Sequence, residues 1–316
     1  MVERELRVDS ASARCAPAHG FVITSLRDEV SGAEALWRRS GFEPAPASRA
    51  LGPSGDGSAE TFDELFVGGC FEMFPVCGLP GELDGRPTLL HGELVRLPWS
   101  EEHVTTREVA ARVAAVRTPF AARRTCRLED DGTLVCETTV ANVGGEPASY
   151  AWGQHPCLAR ETFAGGRIEL RATRCWVPEP PLAPAAATLA GGGFAWPAAR
   201  GRDGEPVDLA LVPGEADGRL DHVCLELADG MVRVTAPRVG CALELRFDLA
   251  CCPYALLWQD YRAAGASRWG AADTLALESW STPGRGVDDA VAAGALRVLQ
   301  PGETASTRWS MRWTAL

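Results

Sequence analysis

Arg123-Arg124-Thr125-Cys126-Arg127-Leu128-Glu129-Asp130-Asp131-Gly132-Thr133-Leu134-Val135-Cys136-Glu137-Thr138-Thr139-Val140-Ala141 reads as a β-hairpin. Two runs carrying Thr, Val, Cys and Leu flank an acidic turn that closes on glycine, which accepts the positive φ such turns need. The rhythm continues outward on both sides. Asn142-Val143-Gly144-Gly145 is the next turn, and residues 167–177, 223–227, 232–236 and 242–249 are further short strand-like runs. The apolar runs 254–258 and 275–277 end at Gln259-Asp260 and at Glu278. Residues 296–299, the turn Gln300-Pro301-Gly302-Glu303 and residues 306–313 close the chain as a second hairpin. Upstream, residues 21–26 are β-branched, and Ala35-Leu36-Trp37 is a second apolar patch. Residues 105–116 are alanine-rich enough for a helix, but their β-rich surroundings predict strands. Turn signals spaced about 8–12 residues apart predict an all-β sandwich or barrel. No amphipathic helix, βα alternation, repeat or boundary interrupts the pattern, so residues 1–316 are expected to form a single domain. Residues 43–60 and 178–206, rich in Pro, Gly and Ala, are expected as surface loops.

Bulk composition narrows the function. The 316 residues are 46% hydrophobic, and the formal net charge of −11 argues against a nucleic-acid partner, which needs a positive field. All 31 basic residues are Arg, read here as coding bias rather than as an arginine-built site. The charged opening Met1-Val2-Glu3-Arg4-Glu5 has no apolar segment behind it, and no run reaches the roughly 20 apolar residues of a membrane span. A cytoplasmic protein without a membrane partner is expected. The 11 cysteines are scattered and form no Cys-x-x-Cys pair. Cys136, Cys224 and Cys241 sit at apolar strand positions, where a reduced cysteine acts as a small hydrophobe.

The absent motifs exclude several chemistries. There is no phosphate-binding Gly-x-x-x-x-Gly-Lys, no Gly-x-Gly-x-x-Gly after a strand, no Gly-x-Ser-x-Gly and no metal-ligand spacing among the five histidines. Neither cofactor nor metal is expected. What remains is His155 in Trp152-Gly153-Gln154-His155-Pro156, His91 in Leu90-His91-Gly92-Glu93, and acids at strand ends. Opening a sugar hemiacetal takes a proton from the anomeric hydroxyl and gives one to the ring oxygen. A carboxylate can act as base, and a histidine, with a reference pKa of about 6.5, as acid; the expectation is one on each side of the ring. The small and apolar residues before Glu278, and Trp280 after it, predict burial and a raised pKa suited to a base. Asp260 is a candidate second contact. For His155 the bland alternative is a strand cap, and for Asp221 a turn residue. His222 is read as structural, and His19 and His103 as surface or loop-rim residues. Gly68-Gly69-Cys70-Phe71-Glu72-Met73-Phe74-Pro75 reads as backbone brought close to a neighbour.

The series Gly69-x-x-Glu72-x-Phe74-Pro75, His91-Gly92 with Trp99, His155-Pro156, Leu220-Asp221-His222, Glu278-x-Trp280-x-Thr282 and Leu299-x-Pro301-Gly302-Glu303 resembles the galactose mutarotase-like superfamily, the aldose 1-epimerases and their relatives. The resemblance covers nearly the whole chain. It implies a β-supersandwich with a cleft on one face and a small-molecule sugar as substrate. It implies Glu278 as the base at the anomeric hydroxyl, His155 as the acid at the ring oxygen, and His91 and Asp221 as sugar-binding groups. Trp258 and the Phe74-Pro75 segment become cleft walls. An Asn-Arg pair typical before the first histidine is missing. The second histidine is followed by Pro156-Cys157-Leu158 instead of an aromatic residue and Asn, a form similar to the hexose-6-phosphate epimerase-like branch. A sugar phosphate, or a binding protein without catalysis, therefore stays open beside the mutarotase reading.

Overall fold

The computed structural model describes residues 3–48, 51–264 and 270–316. Residues 1 and 2 of the opening, and 49 and 50 of the expected 43–60 loop, lie outside them. Two large antiparallel sheets dominate. The hairpin at the centre of the sequence reading pairs Phe120–Leu128 with Leu134–Asn142, Cys126 opposite Cys136. Its turn is closed by Gly132 N donating to Glu129 O at 3.0 Å, with Gly132 at φ 80°. This hairpin sits inside an eight-stranded sheet that ends on Ser100–Val104 at one edge and on Ile168–Glu169 at the other. The alanine-rich 105–116 stretch supplies a strand, Glu108–Ala114.

The second sheet has ten strands and carries the cleft. Its five consecutive central strands are Cys70–Met73, Gly153–Ala159, Asp273–Trp280, Tyr254–Tyr261 and Leu220–Leu227. Alternation along each strand divides its side chains between two faces. Val223, Leu225, Leu257, Leu275, Leu277 and Leu158 pack inward on the other sheet's Leu134, Cys136, Trp309 and Met311. Each large apolar side chain buried this way contributes about 1.5–3 kcal/mol. Phe71, Met73, Cys157, Cys224, Leu256, Trp258, Ala276 and Trp280 point to the outer face, where they make a second apolar cluster under the cleft. Gly68 and Gly69 fit the close-approach reading: a Cβ on Gly68 would sit 2.3 Å from Trp37 O, and one on Gly69 would sit 2.4 Å from Ile23 O.

Two expectations are corrected. Residues 43–60 are not loop throughout, because a helix starts at Ser58 and runs to Leu65. Buried Arg96 anchors it by donating to Ser58 O at 2.8 Å and Thr61 Oγ1 at 2.9 Å. Ser58 Oγ in turn accepts from Leu90 N at 2.9 Å, which ties the helix to the His91 loop. His19 is buried rather than on the rim: its ring nitrogens face Ala45 O and Leu65 O at 2.6 and 2.9 Å.

Candidate active site

A cleft of about 500 Å³ opens over the five central strands, with His91, His155, Trp258, Glu278 and Trp280 among its lining residues. Its floor is set by strand register. Gln154 stands opposite Ser279, and Cys157 stands opposite Ala276. The same register places His155 directly across from Glu278, where side chains on one face meet. His155 Nε2 lies 3.2 Å from Glu278 Oε1. Glu278 Oε2 accepts from Trp280 Nε1 at 2.9 Å. Glu278 is 1% exposed, and burial pushes its carboxyl up to about 8, partly opposed by the Trp280 hydrogen bond. The pair is therefore side by side, not divided by the ring as expected. The register is the reason: residues 155 and 278 face each other across neighbouring strands.

Aromatic packing fixes the His155 ring. Phe71 stacks on it with centroids 4.5 Å apart and planes at 21°. Trp258, His91 and Phe66 present edges at 5.5, 5.2 and 6.5 Å. Cys157 Sγ lies 3.3 Å from His155 Nδ1, so both ring nitrogens have a directional neighbour. His91 reaches the cleft from a backbone at φ 59°, a left-handed conformation that costs any residue with a Cβ, with its N–H held by Gly78 O at 2.9 Å.

The structure brings His155, Glu278, His91 and Trp258 together. It does not bring Phe74 or Asp221 to them, and Asp260, on the same strand face as Trp258, is buried outside the cleft lining. Phe74 lies in the core, against Phe120, Trp152 and Tyr150. The aromatic wall is instead Phe62 and Phe66, both delivered by the unexpected helix and its C-terminal end, with Phe71 buried against Phe62. Asp221 points to the opposite face of its strand. Its carboxylate accepts from Thr188 N at 2.9 Å, Thr188 Oγ1 at 2.5 Å and Leu189 N at 3.1 Å. It thereby anchors the 178–206 excursion, whose Leu182 and Ala183 to Ala186 line the cleft. Asp260 is buried at its strand end, with Ala263 N donating to Oδ1 at 3.2 Å. His222, set aside in the sequence, borders the cleft. Strand parity alone decides this, because neighbours 221 and 222 face opposite ways.

A larger hollow of about 720 Å³ opens among residues 83–93, 116–120 and 145–149. Two of its three acids are bonded within its own lining, and the third, Glu146, is exposed. Glu93 accepts from the backbones of Val116, Arg117 and Thr118, and Asp84 accepts from Ser149. The His155–Glu278 contact belongs to the smaller cleft.

No protein-family model matches the chain, and no curated protein does. Solved structures do match. The Slr1438 protein of Synechocystis sp. PCC 6803 superposes with a TM-score of 0.71 at 18% identity, covering 99% of this chain and 96% of that one. A protein of Escherichia coli K12, named provisionally as an aldose 1-epimerase, gives 0.69 at 18%, covering 99% of both. A galactose mutarotase-like protein of Lactobacillus casei ATCC 334 gives 0.66 at 17%, covering 99% and 100%. With its two antiparallel sheets and one-sided cleft, the chain has the galactose mutarotase-like fold.

Proposed function

We propose that the protein is an aldose 1-epimerase-type isomerase that interconverts the α and β anomers of a sugar. The observation that carries this reading is the His155–Glu278 pair, 3.2 Å apart on the floor of an aromatic-walled cleft. Glu278, pushed up to about 8, holds a proton affinity close to working pH, where a general base is most effective. As carboxylate it takes the anomeric proton, while His155 delivers one to the ring oxygen. The C1–O5 bond then breaks to the open aldehyde. Rotation about C1–C2 presents the other carbonyl face, and the reverse transfers close the ring. His91 borders the reacting edge, and Trp258 offers an apolar surface to the sugar ring.

The protein should work in a reducing cytoplasm, which suits its cysteines: all 11 are unpaired. Among the described residues no helix is long and apolar enough to cross a membrane. The test is the anomerisation rate of α-glucose and α-galactose, by polarimetry or NMR, for wild type beside Glu278→Gln. Acceleration that vanishes in the variant supports the reading. No acceleration of any free aldose overturns it.

A further inference from the structure

We propose that His222 is a specificity-determining residue that hydrogen-bonds the sugar's hydroxyls on the ring edge remote from the anomeric carbon. This rests on the anomerisation reading for the placement of C1 at Glu278. The sheet supplies the ruler. Glu278 stands opposite Leu256, and Leu256 opposite Cys224, in one row across three strands. In the next row Ala276 stands opposite Trp258, and Trp258 opposite His222. His222 is thus two strands and two residues from Glu278. A strand spacing near 4.8 Å and a rise near 3.3 Å per residue make that about 12 Å between their Cα atoms. Both side chains rise from the same sheet face into the same cleft. A pyranose ring with a hydrogen bond at each end fills such a gap, lying over Ala276 and Trp258. The small Ala276 leaves room for the Trp258 indole to lean toward His155, their rings 5.5 Å apart.

The surroundings fit a hydroxyl partner. Leu220 and Ala186, beside His222, are apolar, and Leu220 N donates to Ala186 O at 3.1 Å, so the excursion closes over this end. Arg285 also borders the cleft, but its guanidinium is held by Asp289 at 2.9 and 3.2 Å and by Pro180 O at 2.9 Å. Desolvation pushes His222 down to about 3, so the imidazole is neutral. A neutral ring has one N–H donor and one lone-pair acceptor, the complement of a hydroxyl, which both donates and accepts.

The test compares wild type, His222→Ala and His222→Gln on glucose, 4-deoxyglucose and 6-deoxyglucose. Both the anomerisation constants and the sugar dissociation constants, from NMR titration, are measured. His222→Ala should raise KM for glucose by about 3- to 10-fold, one hydrogen bond's worth, with kcat within about twofold. The penalty should shrink for whichever deoxy sugar lacks the partner hydroxyl. His222→Gln, whose amide both donates and accepts, should restore much of the affinity. Equal KM and Kd in all three proteins overturn the proposal, as does the same penalty on every sugar. If sugars bind without acceleration, the anomerase reading fails, and His222 is still judged by the Kd ratios. If none of the sugars binds, both fail.

Discussion

Glu72 and Glu278 are both fully buried, both borne by the ten-stranded sheet, and they point from its opposite faces. Burial raises both carboxyls. What compensates them differs. Glu72 faces the second sheet, 3.6 Å from the Arg124 guanidinium, and accepts from Trp152 Nε1, from Gln154 Nε2 at 3.1 Å and from Thr138 Oγ1 at 3.4 Å. Arg124 occupies an inward position of the hairpin strand and is 0% exposed. Glu278 has an indole and an imidazole, neither a permanent cation. One carboxylate is neutralised into the core; the other is left poised at the floor of a cleft. Burial by itself does not mark a functional acid. The choice of partner does.

The comparison breaks most visibly at the rate. Glu278→Gln should cut anomerisation by about 10²- to 10⁴-fold, the usual contribution of one general base, while sugar binding persists by NMR titration. Near-wild-type turnover would place the base elsewhere. The mirror substitution, Glu72→Gln, should leave saturated turnover of the folded protein near wild type. It strips Arg124 of its counter-charge, and a broken buried pair costs about 3–5 kcal/mol, read by urea unfolding. If Glu72→Gln lowered turnover without lowering stability, the division of labour would be wrong.

Stability against pH sharpens the same contrast. Glu278 rises from 4.5 to about 8 on folding. Between those values the folded protein holds a proton that the unfolded chain releases. Stability is therefore lost as pH rises through the window, by up to about 1.4 kcal/mol per unit. Glutamine does not titrate. Glu278→Gln should match wild type near pH 4.5 and exceed it by roughly 3 kcal/mol at pH 7, with the gap levelling off above pH 8. Unfolding midpoints across that range measure it. A gap that stays flat with pH would show that Glu278 folds with its ordinary proton affinity.

How much of this was legible depends on the kind of information each residue carries. The strands were, because the alternation in 123–141 and its Asp-Gly turn are local. The facing of His155 and Glu278 is a matter of register, which the sequence does not write down, though both residues were singled out from their flanks. Parity was the main source of error. Asp221 and His222 are neighbours, and nothing in Leu220-Asp221-His222 says which one meets the cleft. Phe71 and Phe74, three residues apart and so on opposite parities, pose the same ambiguity. The helix Ser58–Leu65 was hidden because its lead-in is Pro- and Gly-rich, and because its hold on the fold comes from Arg96, more than thirty residues on. The i, i+4 spacing of Phe62 and Phe66 was the available signal. Nothing local to the hairpin says that Arg124 turns inward, since its partner Glu72 lies in a distant segment and only the stacking of the sheets joins them.

The smallest expected effect concerns the other side of His155. Cys157 sits two residues along the same strand, so its side chain shares His155's face, and its sulfur approaches Nδ1 at 3.3 Å. A thiol proton donated to Nδ1 leaves the resting imidazole's proton on Nε2, the nitrogen that faces Glu278, and when the ring takes a second proton at Nδ1 to become the acid, the same sulfur accepts from it. A serine hydroxyl keeps that donor; an alanine methyl does not. Cys157→Ser should therefore stay close to wild type, whereas Cys157→Ala should lose about 3- to 10-fold in kcat, the range of one neutral hydrogen bond. The ¹⁵N shifts of His155 should move toward a mixed tautomer in Cys157→Ala alone. If both variants keep full turnover and unchanged shifts, the stacking of Phe71 and the edge of Trp258 suffice to orient the ring. The asymmetry between the two glutamates would then rest on Glu278's own partners without help from the thiol.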